Sequence, residues 1–167
     1  MNDKEKKSIE RIQLASELSL QHYKKPLVCT YSGGKDSDVM LELFKRSGIL
    51  FEVHNSHTTA DAPQTVEHIR KTFRELEMQG IKTTIDYHNQ PDGNRTTMWN
   101  LIPRKLMPPT RLVRYCCSVL KETGCKNRMI STGVRWDESV NRKRRDSFEV
   151  IGNKKKMAFM YLMKKCF

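Results

Sequence analysis

The chain has 167 residues, of which 37% are hydrophobic, which is enough for one domain with a single core. Its 31 lysines and arginines against 19 acidic residues give a net charge of +12, which attracts anions such as nucleotides, nucleic acids or acidic lipids. No apolar run approaches the roughly 20 residues of a membrane helix, and the N-terminus lacks the apolar segment of a secretory signal. We therefore expect a cytoplasmic protein without a membrane partner.

The cysteines give no sign of a disulfide framework or a zinc ribbon. There are 5, an odd number, and no two of them form a Cys-x-x-Cys pair. Reduced thiols are expected, as in the cytoplasm.

The first predicted elements are a helix, a strand and a second helix. Residues 1–24 have apolar side chains at helical spacing among charges. After Pro26, the β-prone run 27–31 predicts a buried strand that ends at two glycines. A helix follows over 36–45, and Gly48 is placed to end it in a left-handed conformation.

The same order of elements then recurs. Residues 49–53 are strand-like, Asp61 and Pro63 predict the cap and first residue of a helix that continues over 65–78, and 81–87 form a third strand. Strands that alternate with helices through short loops predict an α/β fold. We expect a doubly wound, mostly parallel sheet with helices on both faces, of Rossmann-like type.

The second half of the chain is less regular. Prolines around the apolar run 98–102 predict a substrate-side loop, with Trp99 as a core anchor. The further elements expected are helical turns at 116–121, strands at 128–134 and 148–151, and a solvated basic run at 142–145.

The clearest chemical signal is a glycine-rich loop, Ser32-Gly33-Gly34-Lys35-Asp36-Ser37, which joins the first strand directly to the second helix. Glycines allow a crowded backbone in which successive N–H groups point at one anion, and the helix N-terminus adds partial positive charge. We therefore expect the loop to hold phosphate. Lys35 supplies a mobile cation, and Asp36 is placed to cap the helix or to meet Mg²⁺.

Other phosphate-binding loops do not fit this segment. A Walker A loop would need a glycine five residues before Gly34, where Cys29 stands, and Ser or Thr after Lys35, where Asp36 stands. The dinucleotide pattern GxGxxG does not occur either. The alternative reading is an ordinary glycine turn between a strand and a helix.

The stretch YSGGKDS resembles the PP-loop of the ATP pyrophosphatase superfamily, whose fold is adenine nucleotide alpha hydrolase-like. Other segments are similar to its phosphoadenosine phosphosulfate (PAPS) reductase branch, which also includes ATP sulfurylase subunits and DNA phosphorothioation proteins. These segments are 57–65 (HTTADAPQT), 114–117 (RYCC) with Lys121, and 133–135 (GVR) with Glu138, Ser139 and Arg142.

The chain looks like a short, C-terminally truncated member of that family. After Gly152 the resemblance fades. We expect a lead-in helix over 1–24, a PP-loop nucleotide-binding domain over 25–152 and a basic tail over 153–167 that is open to disorder.

The resemblance implies a nucleotide at the carboxyl ends of the strands, with its adenine against the backbone of 53–57 and its phosphates in the glycine-rich loop. Lys35 and Asp36 become the catalytic residues, and the expected ligand is ATP or PAPS with its Mg²⁺. Further nucleotide-binding residues implied are His57, Gly133 and Arg135, and implied substrate or phosphate contacts are Arg114, Cys116, Lys121, Glu138 and Ser139. His57 alone also reads as an ordinary polar loop residue.

Two sulfur-chemistry features of the family are missing from the sequence. Thiol-using PAPS reductases carry a C-terminal Glu-Cys-Gly-Leu-His motif, whereas this chain ends with Cys166 and Phe167. The iron–sulfur branch needs a Cys-Cys pair and a distant Cys-x-x-Cys, and here only the pair Cys116-Cys117 is found. The sequence therefore does not favour an iron–sulfur cluster in this chain alone, although a cluster shared with another subunit stays open.

Three functions remain open. The first is an enzyme that cleaves or exchanges at the α-phosphate of ATP, with pyrophosphate release and adenylyl or sulfur transfer. The second is a PAPS or adenosine phosphosulfate (APS) reductase that yields sulfite. The third, favoured by the net charge of +12, is an accessory binding subunit of a nucleic acid thiolation system. A protein partner or a homodimer is compatible with each.

Overall fold

The computed structural model describes residues 3–89, 93–121, 124–133, 148–150 and 157–161. Its elements, numbered along the chain, are α1 (Asp3–Tyr23), β1 (Leu27–Thr30), α2 (Lys35–Ser47), β2 (Phe51–Ser56), α3 (Pro63–Met78), β3 (Thr83–Asp86), α4 (Met98–Lys105), α5 (Tyr115–Leu120), β4 (Ile130–Gly133), β5 (Phe148–Val150) and β6 (Met157–Tyr161). None of the helices in these ranges combines the length and apolar character needed to cross a lipid bilayer.

The strands form a mostly parallel sheet in the order β3-β2-β1-β4-β6-β5. β1 is parallel to β2 and β4, β2 to β3, and β4 to β6, whereas β5 runs antiparallel to β6 at the edge. This arrangement confirms the predicted α/β, Rossmann-like fold class. Because the carboxyl ends of parallel strands meet at one edge of a sheet, the loops after β1, β2 and β3 lie close together.

One face of the sheet packs against α1, α2 and α3. Alternate residues of β1 and β2 point to this layer, because successive side chains of a strand face opposite sides. Each fully buried Leu, Phe or Met of this core contributes roughly 1.5–3 kcal/mol. The core includes Ile12 and Ala15 of α1, Leu27, Cys29, Phe51 and Val53 of the sheet, Met40 and Phe44 of α2, and Ile69, Phe73 and Leu76 of α3.

The opposite face of the sheet carries polar residues such as His54 as well as the buried Val28, and it is covered by the end of α5 and the segment after it. A Cβ on Gly124 would lie 2.8 Å from His54 Nε2 and 3.2 Å from Asp86 Oδ2, so this segment crosses directly over β2 and β3. Farther along, Arg128 forms an ion pair with Glu52 at 3.0 Å. The chain therefore packs against both faces of the sheet, as expected for this fold class.

Two features near α3 differ from the sequence-based prediction. β2 runs over Phe51–Ser56 rather than over 49–53, because Leu50 is 72% exposed and lies outside the core. Asp61 was predicted to cap α3, but the helix begins at Pro63 after Ala62 and has no side-chain cap. The Asp61 carboxylate instead accepts a hydrogen bond from the Thr58 hydroxyl.

A helix replaces the loop that was predicted around residues 98–102. Thr97 and Asn100 form a capping box, in which Asn100 N donates to Thr97 Oγ1 at 3.1 Å and Thr97 N donates to Asn100 Oδ1 at 2.8 Å. These bonds satisfy the first N–H groups of α4, so two helical turns form although Pro103 lies within them. Trp99, predicted to be a core anchor, is 70% exposed on this helix.

Residues 157–161 lie inside the sheet, where the sequence predicted a basic tail. They form β6, which pairs with β4 on one side and β5 on the other. The run Met-Ala-Phe-Met-Tyr is apolar and strand-prone, but the lysines that flank it dominate the local composition. A short apolar strand between charged neighbours is easily missed from sequence.

Candidate functional site

The glycine-rich loop lies at the carboxyl end of β1 and leads into the N-terminus of α2. The N-cap of α2 is Gly34, whose extended backbone (φ −95°, ψ 161°) carries no side chain to cap the helix. The first N–H groups of a helix lack an intrahelical acceptor, and the helix dipole makes this end partly positive. The loop therefore presents main-chain donors at the edge of the sheet where such folds place ligands.

The backbone at Gly33 strongly favours glycine. Its φ is +73°, and a Cβ there would lie 2.8 Å from Cγ1 of Ile69 and 3.2 Å from Cγ2 of Thr65, both on α3. The loop is thus pressed against α3 with no room for a side chain. Gly34 has free space beside it, since the nearest atom to a Cβ there is Ser32 Oγ at 3.8 Å.

The two serines of the loop differ in their surroundings. Ser37 is buried, and its hydroxyl donates to the carbonyl of Gly34 at 2.7 Å. Ser32 is exposed, and its hydroxyl lies 3.4 Å from Ser37 Oγ. Ser37 therefore holds the turn together from inside, while Ser32 faces the solvent side where a ligand would arrive.

Lys35 and Asp36 occupy the first turn of α2, with Gly133 directly behind them. Lys35 is exposed and Asp36 is half-buried. Gly133 ends β4, and a Cβ there would lie 3.4 Å from the Asp36 carbonyl oxygen. The structure thus brings Gly133 to the first turn of α2, and its part in nucleotide binding stays a prediction.

His57 lies in the loop that follows β2, beside β3. Its N–H donates to the Asp86 carbonyl at 3.0 Å, its Nδ1 accepts from Thr59 N at 3.2 Å, and its ring lies 5.3 Å from that of Tyr87. Burial, and after it the positive charge of Arg95, lower the pKa of His57 below its ordinary value. The imidazole is therefore a neutral hydrogen-bonding group at neutral pH.

A hollow beside His57 adjoins the glycine-rich loop. It is lined by Asn55, His57, Asp61, Val66, Ile69, Arg70 and Ile85. Ile69 belongs both to this hollow and to the wall that touches Gly33, so the two features are contiguous. The lining joins apolar side chains with a few polar groups and a guanidinium, and the hollow's volume of about 10 Å³ is room for a single water molecule.

The loop after β2 is also joined to α4. The main-chain N–H of Met98 donates to Thr59 Oγ1 at 2.8 Å, and Thr59 has a positive φ of 62°. Nearby, the guanidinium of Arg95 stacks on the Tyr87 ring at 3.9 Å from its centroid. Sequence reasoning missed Arg70 and Arg95, because neither belongs to a motif and only the fold brings them near His57.

Of the predicted residues, Cys116 lies on α5, and Arg114 and Lys121 are its N-cap and C-cap. Arg114 Nη2 donates to Cys117 Sγ at 3.3 Å, and Lys121 N donates to the Cys117 carbonyl at 2.9 Å. Cys116 and Cys117 are both half-buried, and Lys121 is exposed. His88 Nε2 lies 2.6 Å from the Leu120 carbonyl oxygen, which places the end of α5 near the carboxyl end of β3.

The remaining predicted residues have no described position. Arg135, Glu138 and Ser139 lie outside the described residues, as do the basic run 142–145 and Cys166. In the described part of the chain, no group of three His, Cys, Asp or Glu side chains is arranged to hold a metal ion.

Fold and sheet order together define an α/β domain of Rossmann-like type. Residues 26–164, well over half of the chain, match the phosphoadenosine phosphosulfate reductase domain, and the chain belongs to this family. No curated protein matches it. The match continues past Gly152, where the sequence resemblance was expected to fade, and it includes β6. Family membership supports a role in nucleotide binding.

Proposed function

We propose that this protein binds ATP or a related adenine nucleotide and cleaves or exchanges bonds at its α-phosphate, with release of pyrophosphate and transfer of an adenylyl or sulfur group. The observation that carries the proposal is the loop between β1 and α2. It has a side-chain-free N-cap at Gly34 and a second glycine, Gly33, pressed against α3. Such a cradle of N–H groups suits the charge that develops on a leaving pyrophosphate.

Each part of the loop has an assigned role in this proposal. The N–H groups at the start of α2 bind phosphate oxygens, and the exposed ammonium of Lys35 neutralises charge on the departing group. Ser32, which is exposed, donates a hydroxyl hydrogen bond, while buried Ser37 keeps the turn in shape through the Gly34 carbonyl. The main-chain N–H groups are held by the helix and the turn before the ligand arrives, so they act electrostatically without reorganisation.

The adenosine part of the ligand is assigned to the backbone of residues 53–57, beside the hollow. Asn55 and His57 offer hydrogen bonds there, and Val66, Ile69 and Ile85 line the adjoining wall. Ile69 also lies next to Gly33, so this surface and the glycine-rich loop adjoin each other.

A magnesium ion fits this site as a companion of the nucleotide. Among the described residues no cluster of three ligating side chains exists, so most of the oxygen ligands would come from phosphate and water. Asp36, half-buried in the first turn of α2, is the carboxylate of the loop that would complete the coordination. The ion would neutralise part of the charge of the phosphates.

A second candidate function is the reduction of PAPS or APS to sulfite. The matched family domain is named for this chemistry. The half-buried pair Cys116 and Cys117, with Arg114 donating to Cys117 Sγ, belongs to α5, whose last residue Leu120 contacts His88 just after β3. An external thiol donor would serve as reductant. Sulfite release distinguishes this reaction from pyrophosphate release.

A third candidate is an accessory subunit that binds nucleic acid for thiolation. Residues 93–121 contain Lys and Arg but no Asp or Glu. Trp99 and Leu112 within this stretch are 70% and 95% exposed. Salt-sensitive binding to DNA or RNA would support this role, and salt-insensitive or undetectable binding would argue against it.

Calorimetric titration with ATP, PAPS and APS, each with and without Mg²⁺, tests the proposal at the level of binding. We expect ATP to bind, and Mg²⁺ to strengthen the binding. Assays for pyrophosphate and for sulfite then separate the two enzymatic candidates. If none of the three nucleotides binds, the assignment of the loop to nucleotide phosphates is wrong.

A further inference from the structure

Tyr31, the residue just before the glycine-rich loop, is held to β2 through both its main-chain N–H and its carbonyl. Its N–H donates to the His54 carbonyl at 2.8 Å, and its own carbonyl accepts from Asn55 Nδ2 at 2.8 Å. The residue is 2% exposed, and its ring packs against Phe73 with centroids 5.9 Å apart. This end of the loop therefore has little freedom.

The side chain of Tyr31 reaches the other end of the loop. Its hydroxyl donates to the carboxylate of Asp38, which lies on α2 directly after Ser37. His68 Nε2 lies 3.0 Å from the same hydroxyl and 3.5 Å from Asp38 Oδ1. Thr72 Oγ1 is 3.5 Å from the hydroxyl, so α3 contributes two polar side chains beside the hydrogen bond between Tyr31 and Asp38.

We propose that the hydrogen bond between Tyr31 and Asp38 is a clamp that positions the glycine-rich loop for phosphate. It joins the residues on either side of the hexapeptide 32–37, so the loop is closed into a ring by one side-chain contact. This inference rests on the proposed function, because it takes the loop to bind the phosphates of a nucleotide. Tyr31 and Asp38 are positioning residues and do not touch the phosphate themselves.

The physical reason is the entropy of the loop. A loop that must become ordered when it binds loses affinity by the free energy of that ordering, whereas a loop held in place beforehand does not. Glycine gives an unrestrained backbone many accessible conformations, so a restraint across Gly33 and Gly34 removes more conformational entropy than one across other residues. Burial, and after it the bond to Asp38, raise the pKa of Tyr31 far above its ordinary value, so the hydroxyl remains a donor.

The test compares Tyr31→Phe with Tyr115→Phe. Both remove one hydroxyl, and that of Tyr115 donates to the Met107 carbonyl at 2.7 Å, away from the loop. Hydrogen–deuterium exchange of residues 33–37 is measured without ligand, and affinity for inorganic pyrophosphate is measured by calorimetry. For Tyr31→Phe we expect exchange of these amides to become about tenfold faster and pyrophosphate affinity to become about tenfold weaker. Tyr115→Phe should match wild type in both.

A second pair of variants isolates the hydrogen bond from charge. Asp38→Asn and Asp38→Ala both remove the carboxylate charge, but only the asparagine keeps an oxygen that can accept from Tyr31. We expect Asp38→Ala to behave like Tyr31→Phe and Asp38→Asn to restore slow exchange. Asp38 has a side chain that is 45% exposed, so these variants test the clamp even if Tyr31→Phe fails to fold.

The outcomes separate the clamp from the proposed function. If wild type binds pyrophosphate while Tyr31→Phe and Asp38→Ala keep its affinity and exchange rates, the clamp is refuted and the function stands. If wild type binds neither pyrophosphate nor any of ATP, PAPS and APS, the proposed function fails. The exchange rates of the ligand-free proteins still decide whether the bond holds the loop.

Discussion

A Cβ on Gly33 would lie only 2.8 Å from Cγ1 of Ile69, closer than two carbon atoms approach without displacement. Gly33→Ala therefore has two costs, the strain of a side chain at φ +73° and the crowding against α3. We expect the free energy of unfolding to fall by about 2–4 kcal/mol, measured by urea denaturation. Affinity for nucleotide should fall as well, because α3 or the loop must move.

Gly48→Ala is the matched control for this prediction. Gly48 ends α2 with a φ of +68°, and no atom lies within 4 Å of a Cβ placed there. The substitution carries the backbone strain without the crowding, so it should lower the free energy of unfolding by about 1 kcal/mol. Equal losses for the two variants would mean that Ile69 does not constrain the loop.

Lys35→Ala should abolish nucleotide turnover while the fold persists. The ammonium lies on the first residue of α2, is exposed and makes no core contact, so its removal should leave the melting temperature nearly unchanged. We expect pyrophosphate release from ATP to fall by at least about 100-fold, as for other groups that stabilise developing charge. Lys45→Ala, which removes an exposed lysine from the last turn of the same helix, should retain full turnover. Turnover that survives in Lys35→Ala would contradict the assigned role.

The sequence predicted the parts of the site that depend on neighbouring residues. The strand, the two glycines and α2 follow one another without interruption, and Gly48 ends α2 in a left-handed conformation as expected. Local backbone chemistry decides these features, because a left-handed residue favours glycine and a helix N-terminus favours small polar residues nearby. Gly133 lies beside the first turn of α2 although it is far from Asp36 along the chain, so local chemistry does not encode this proximity.

The features that the sequence did not predict depend on contacts between distant segments. Tyr31 meets His68 and Thr72 only because α3 packs beside β1, and no spacing in the chain encodes that encounter. Arg70 lines the hollow for the same reason. The error at Trp99 has a different cause, since an aromatic residue among apolar neighbours is usually buried, whereas here α4 turns it to solvent.

The lowered pKa of His57 predicts a pH-dependent contribution to stability. When the folded-state pKa lies below the unfolded value of ~6.5, the unfolded chain binds the proton more tightly, so stability rises with pH in this range. The contribution is fully present above ~6.5 and is lost as the pH falls through the folded-state pKa.

The check for His57 is the free energy of unfolding of wild type and His57→Gln at several pH values between about 5 and 7.5. Glutamine keeps a hydrogen-bonding side chain but does not titrate, so the variant should lose less stability than wild type on acidification. Parallel pH profiles would show that His57 is not held in its neutral form. The comparison between the two proteins cancels the contribution of every other titrating group.

Of the substitutions away from the glycine-rich loop, Arg128→Met should lower the free energy of unfolding the most. Its Nη2 lies 3.0 Å from Glu52 Oε2 and donates to the Pro26 carbonyl at 2.8 Å, and the two charged side chains are only 15% and 17% exposed. Arg128→Met would leave the Glu52 carboxylate half-desolvated, with only the 69% exposed Lys82 at 3.4 Å to compensate. We expect the free energy of unfolding, measured by urea denaturation, to fall by about 2–3 kcal/mol, because removing one partner of a mostly buried pair leaves the other charge unpaired.

Adding Glu52→Gln should recover part of that loss, since it removes the unpaired charge, whereas Lys82→Met alone should cost less than about 1 kcal/mol. A double variant that is no more stable than Arg128→Met would show that the arginine acts through its bond to Pro26 and not through its charge.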